Sequence, residues 1–216
     1  MKQGIIFDMD GTLWDSAENV AKSWSLAIRQ DGTVDRTLTT ADIQGVMGKT
    51  MDVIADILFP ELEKEPRTLL LQKCCETENA YLREHGGILY PKVRETLAKL
   101  KENYPLYIVS NCQKGYIEAF LDFYQMWDLF CDIECYGNNL LQKGDNIHLL
   151  AKRNELDTAV YVGDIQGDYD ASMAAGVGFI HAAYGFGTIN APVVAIERFE
   201  DLLATDIISC TRKVMD

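Results

Sequence analysis

The sequence predicts an α/β protein: a doubly wound parallel-sheet (Rossmann-like) core with a small all-helical cap domain inserted into it. Three observations carry this. The apolar run Ile5-Ile6-Phe7 stops at Asp8-Met9-Asp10-Gly11-Thr12, as a buried strand does where it leaves a sheet. Beyond Pro91, short apolar runs alternate with amphipathic helical stretches, the rhythm of a parallel sheet with right-handed crossovers. The stretch between has helical spacing and no convincing strand. Residues 1–15 and 88–216 are therefore expected to form the core, and 16–87 the cap.

The elements follow in order. A first strand is expected at about 3–8. Asp15-Ser16-Ala17-Glu18 has the pattern of a capping box, and Val20, Ala21, Trp24, Ala27 and Ile28 continue with helical spacing until Gly32. Thr39 or Thr40 opens a short helix that breaks at Gly45–Gly48. Met51–Phe59 is amphipathic and stops at Pro60, and Pro66–His85 is a long helix closed by Gly86-Gly87. In the core, helices are expected at Lys92–Glu102, Lys114–Phe123, Asp145–Asn154 and Asp168–Ala175. They alternate with strands at Leu106–Val109, Ile133–Cys135, Ala159–Val162 and Gly178–Ile180.

Composition narrows the function. A net charge of −13 argues against nucleic acid or an anionic membrane as partner. It also repels anionic substrates, so a bound cation and local lysines would have to reverse the field at any phosphate site. The six cysteines are scattered without paired Cys-x-x-Cys spacing, which argues against zinc and against a disulfide framework. The N-terminal apolar run is too short for a signal peptide, and no apolar segment is long enough for a membrane span. A cytoplasmic protein, monomer or homodimer, is expected.

Asp8 and Asp10 stand two residues apart, so they share a side at the strand end, where ligands of open parallel sheets bind. One can act as nucleophile and the other as proton donor, with the Thr12 hydroxyl near the same point. Ser110-Asn111 follows the Leu106–Val109 strand and suits a phosphoryl oxygen, or simply a helix cap. Lys143 precedes a helix and is placed to neutralise phosphate and nucleophile; Lys114 is the substitute, and a solvated lysine is the plain alternative. Gly163-Asp164-Ile165-Gln166-Gly167-Asp168 follows another strand and offers the oxygen ligands that suit Mg²⁺.

Together these four segments resemble, in order and placement, the motifs of the haloacid dehalogenase-like hydrolases, in the helical-cap subgroup that includes phosphoglycolate phosphatases and β-phosphoglucomutases. The likeness covers about 1–15 and 88–190. One departure stands out: Gly144 follows Lys143 where the family often has proline. The resemblance implies Asp8 as nucleophile and Asp10 as general acid/base, with the Asp10 carbonyl, Asp8, Asp164 and Asp168 around Mg²⁺. It implies Thr12, Ser110, Asn111 and Lys143 on the phosphate. Dehalogenases lack the second aspartate and transport ATPases carry Lys-Thr there, so Asp10 points to phosphate esters. The expected activity is a Mg²⁺-dependent phosphatase for a small phosphorylated metabolite. A phosphomutase is the alternative, and a non-catalytic binding protein would be expected to lack these carboxylates. In the cap, Lys49 in Gly45–Lys49 is a candidate substrate contact or an ordinary turn lysine. Trp14 is a candidate site cover or a hinge-packing residue.

Overall fold

The computed structural model describes residues 2–214. Its centre is a mostly parallel sheet. In chain order the strands are β1 (Gln3–Phe7), β2 (Trp14–Asp15), β3 (Ile88–Leu89), β4 (Leu106–Ser110), β5 (Asp132–Cys135), β6 (Thr158–Gly163), β7 (Gly178–Ala182), β8 (Val194–Ile196) and β9 (Arg212–Lys213). The main sheet runs β5-β4-β1-β6-β7-β8, with β9 antiparallel on the first residues of β6. β1 lies between β4 and β6, pairing Phe7 with Ile108 and with Val162. The chain therefore steps outward from β1 on both sides. The carboxyl ends of β1, β4 and β6 meet where such sheets bind ligands.

The side-chain period of two divides the core. Ile5, Phe7, Ile108, Val160 and Val162 face one cluster, which continues into the helical segment. Ile6, Tyr107, Val109, Ala159 and Tyr161 face the other, against Ile147, Leu150 and Ala151. The helices are α1 (Ala17–Asp31), α2 (Thr40–Gln44), α3 (Met51–Leu58), α4 (Lys64–His85), α5 (Val93–Lys101), α6 (Tyr116–Tyr124), α7 (Tyr136–Asn139), α8 (Lys143–Arg153), α9 (Gln166–Ala174) and α10 (Ile207–Cys210). Among the described residues, none is long and apolar enough to cross a membrane. The cysteines are free.

Helices α1–α4 lie between β2 and β3. These two strands pair antiparallel, Trp14 with Leu89 and Asp15 with Ile88, so the entry and exit of the helical segment form one ribbon. Neither strand is predicted from sequence, since two-residue pairings have no period to detect. The segment also rests on α6 and the turn before it: the Asn79 amide donates to the Lys114 carbonyl at 2.8 Å, and Arg83 to Asp122 at 3.1 Å.

Three expectations need correction. The capping box at the start of α1 does not form: Ser16 has helical backbone angles and its hydroxyl turns to Asp10, while Asp15 accepts from the Ala17 N–H at 2.9 Å. The box forms instead at α2, where Thr39 and Asp42 bond each other's backbone N–H. Helices α8 and α9 each begin two residues earlier than predicted, so Lys143 and Asp168 sit inside first turns. β8 and β9 lie beyond the predicted strands and are short, with exposed residues that leave little apolar signal.

Candidate active site

Asp8 leaves β1 with its N–H on the Val162 carbonyl at 2.9 Å, and its side chain is 3% exposed. The chain then turns through Gly11, whose φ is +82°. A Cβ there would lie 2.0 Å from an Asp164 carboxylate oxygen, so only glycine lets β1 and β6 bring their acids this close. Candidate ligand atoms of Asp8, Asp164 and Asp168 lie within 4.8 Å of one another.

Lys143 reaches into this cluster from α8. Its ammonium is 3.0 Å from Asp8 and 2.6 Å from Asp168, and the side chain is almost wholly buried. The two carboxylates hold the lysine charged, well above its usual range, against the cost of burial. Asp168 is otherwise fully engaged: its second oxygen accepts from the N–H groups of Asp164 and Ile165 at 3.0 and 3.2 Å. Gly144 leaves α8 close to Ala171 and Ala174 of α9. Lys114, the substitute, is exposed and gives only its carbonyl, to Asn79.

Burial pushes Asp8 up to about 7, with the Asp168 charge adding to it and Lys143 opposing it. Asp164 is pushed to about 8 by burial and by Asp168 and Asp8. Asp164 accepts from the Phe186 N–H at 2.7 Å with one oxygen, while its other, Oδ1, is buried with no hydrogen-bond partner. A buried, unpaired carboxylate oxygen beside two other acids is the donor set for a hard cation. The residues present therefore fit Mg²⁺, with Asp8 and Asp164 as the available carboxylates.

Asp10 keeps part of its surface open. Its Oδ1 accepts from the Ser16 hydroxyl at 2.6 Å and the Tyr116 hydroxyl at 2.7 Å, which themselves lie 2.7 Å apart. Burial raises Asp10 to about 6, with those two hydrogen bonds opposing. A carboxyl in that range can both give and take a proton near neutrality.

A cleft open to solvent separates these acids from the helical segment. Asp8, Asp10, Ser110 and Asn111 line it from the core, and Lys49 lines it from the other side. The Asn111 amide donates to the Gly48 carbonyl at 2.9 Å, so the loop carrying Lys49 is docked on the core. Thr12 is wholly buried with its hydroxyl unpartnered, and it does not line the cleft. Nor does Trp14, which packs edge-on against Tyr116 and Phe120 at the base of the β2–β3 ribbon.

The structure thus brings together Asp8, Asp10, Ser110, Asn111, Lys143, Asp164, Asp168 and Lys49, and leaves Thr12 and Trp14 outside the cleft. Sequence reasoning missed Ser16, Tyr116 and the Tyr184–Phe186 turn. Tyr184 donates to the Thr12 carbonyl at 2.7 Å while Phe186 N–H holds Asp164. The Gly185-Phe186-Gly187 string after an apolar run was the available signal for that turn.

Comparison with known proteins identifies the family and the fold. The family model described as haloacid dehalogenase-like hydrolase matches residues 5–182. A phosphoglycolate phosphatase from Aliivibrio fischeri is 29% identical, over 93% of this chain and 94% of its own length. One from Yersinia pseudotuberculosis is 27% identical, over 93% and 91%. A haloacid dehalogenase-like family hydrolase from Streptococcus pneumoniae shares the fold, with a TM-score of 0.77 at 22% identity, covering 94% of this chain and 97% of that one. The chain belongs to the haloacid dehalogenase-like hydrolases.

Proposed function

We propose that this haloacid dehalogenase-like hydrolase is a Mg²⁺-dependent phosphatase that hydrolyses a small phosphorylated metabolite through an aspartyl-phosphate on Asp8. It is a phosphoric monoester hydrolase, the activity carried in the names of its relatives. The observation that carries the mechanism is the pairing at the end of β1. Asp8 is fixed by Lys143, and Asp10, two residues on, is held by two hydroxyls in a proton-exchanging range.

The chemistry follows from these residues. A carboxylate oxygen of Asp8 attacks phosphorus in line, and the bond to the leaving oxygen breaks. Asp10 gives its proton to that oxygen. Water then attacks phosphorus, Asp10 takes the proton, phosphate leaves and Asp8 is restored. Ser110, Asn111 and Lys143 hold phosphoryl oxygens. Bound Mg²⁺, held by Asp8, Asp164 and the Asp10 carbonyl, would offset repulsion between the nucleophile and the anionic ester. Asp168 serves by holding Lys143 and the Asp164 loop.

Residues 16–87 act as a cap in this proposal, swinging on the β2–β3 ribbon to admit substrate and exclude water. The Asn111–Gly48 contact supports it, since it joins the phosphate loop to the cap loop beside Lys49. A phosphate-release screen over phosphorylated metabolites with Mg²⁺ tests the activity. Free phosphate is expected; an isomeric phosphate as sole product would mean a mutase, and no turnover would refute both.

A further inference from the structure

The cleft opposite Asp8 and Asp10 has an unusual wall. It is apolar, lined by Val20, Trp24, Ile43, Met51 and Ile54 of the helical segment, and it contains one carboxyl group, Glu78. Glu78 sits on α4 and is 3% exposed. One oxygen accepts from the Trp24 indole N–H at 2.5 Å, which ties α4 to α1 across the cleft wall. Trp24 is itself braced by stacking on Phe59, with ring centroids 6.3 Å apart. Among the described residues, no lysine, arginine or histidine pairs with Glu78, and its hydrogen-bonding neighbour besides Trp24 is Gln113.

The ionisable groups around this space are mostly acids or weak acids: Asp8, Asp10, Glu78, Tyr116 and Cys112. Among the described residues, Lys49 is the only basic side chain that lines the cleft, and it is exposed. A leaving group bearing a second anionic group would have to bury that charge among the carboxyl groups of Asp8, Asp10 and Glu78 and an apolar wall. Such a charge is costly whether Glu78 is ionised or neutral, because Lys49 is exposed and no buried cation lines this space. An apolar group, by contrast, gains from the same surfaces, and a hydroxyl or ammonium group can donate to Glu78.

We propose that Glu78 and the apolar wall select a phosphomonoester whose leaving group is largely apolar, uncharged or cationic, and that they discriminate against a leaving group carrying a carboxylate. Glu78 is a specificity-determining residue in this scheme. The proposal rests on the phosphatase reading and narrows its substrate class. It also separates this chain's preference from the carboxylate-bearing ester named in its relatives.

The test uses the full chain with Mg²⁺ and four esters that differ only in the terminal group: butyl phosphate, 4-hydroxybutyl phosphate, 4-aminobutyl phosphate and 4-phosphooxybutanoate. 2-Phosphoglycolate and p-nitrophenyl phosphate are run beside them. The expected kcat/KM for the carboxylate ester is about tenfold or more below each of the other three, with 2-phosphoglycolate also poor. In Glu78→Gln, compared with wild type at pH 9 where the Glu78 carboxyl is ionised, the ratio of aminobutyl to carboxylate ester should fall about tenfold or more. The wild-type ranking decides the matter even if that variant does not fold. A carboxylate ester equal to or better than the other three overturns the proposal while the phosphatase reading stands. Release from p-nitrophenyl phosphate with none of the four hydrolysed also overturns it. A Glu78→Gln protein that is folded and keeps the wild-type ratio removes Glu78 from the scheme. No release from any ester refutes the phosphatase reading, and this inference with it.

Discussion

Replacing Glu78 by glutamine should stabilise the protein, and more so as pH rises. Burial pushes the Glu78 carboxyl from its ordinary 4.5 up to about 8; the Trp24 hydrogen bond opposes this and the Asp10 charge adds to it. The folded state thus holds a proton that the unfolded chain releases near the ordinary carboxyl range. A folded value above the unfolded one gives a contribution that is complete below pH 4.5 and is lost as pH rises to about 8. Each pH unit of that window is worth about 1.4 kcal/mol, so the ceiling is ~5 kcal/mol above pH 8 and ~3 kcal/mol at pH 7. Structural relaxation lowers both figures. Glutamine keeps the shape and an acceptor for the Trp24 N–H but has no charge to bury. Urea unfolding of both proteins in EDTA at half-unit steps from pH 5 to 9 measures the difference. Asp8, Asp10 and Asp164 titrate in both proteins and largely cancel. The two curves should nearly meet at pH 5, and the variant should be more stable by about 2 kcal/mol or more at pH 8. A difference independent of pH would refute the reasoning, as would a variant less stable throughout.

Other outcomes follow from the same geometry. Lys143→Met leaves three buried acids without their cation, so it should cost about 3–5 kcal/mol by urea unfolding and lower kcat about a hundredfold or more. EDTA should silence the enzyme and Mg²⁺ restore it, with Ca²⁺ a poor substitute because its larger, looser coordination shell disturbs in-line geometry. Asp164→Ala should abolish that recovery in phosphate-release assays. Lys49→Ala should raise KM or lower kcat for the physiological ester and affect p-nitrophenyl phosphate much less, since Lys49 lines the cleft across from Asp8 without touching it. Equal losses on both esters would place Lys49 in the core chemistry.

The sheet core and its candidate site were legible in the sequence because their signals are local. Ile5-Ile6-Phe7 is buried on both faces, and Asp8 and Asp164 each stand where an apolar run ends. The spacing that marks a strand end also places the acid, so fold and site came together. The unread parts depend on contacts between distant segments. Ser16 looks like a cap until Asp10 lies 2.6 Å from its hydroxyl. Tyr116 looks like core packing until its hydroxyl meets the same oxygen. Glu78 stands in the long and mostly polar helix α4, where its pairing with Trp24, 54 positions away, has no sequence period to reveal it. The β2–β3 ribbon is two residues wide and joins segments that only the fold brings together. Trp14 illustrates the converse, since its position beside the motif says nothing of the aromatic cluster that buries it.

The most direct test of the central claim is to trap the phosphoenzyme. Wild type, Asp8→Asn and Asp10→Asn are mixed with ³²P-labelled ester and Mg²⁺, quenched in acid within the first turnover, digested and mapped. The wild type should carry transient label on the peptide containing Asp8. Asp10→Asn should retain any label it acquires longer, because the base for the second step is gone. Folded Asp8→Asn should carry none and release no phosphate. Steady phosphate release without label on Asp8, or substantial turnover by Asp8→Asn, would contradict the account.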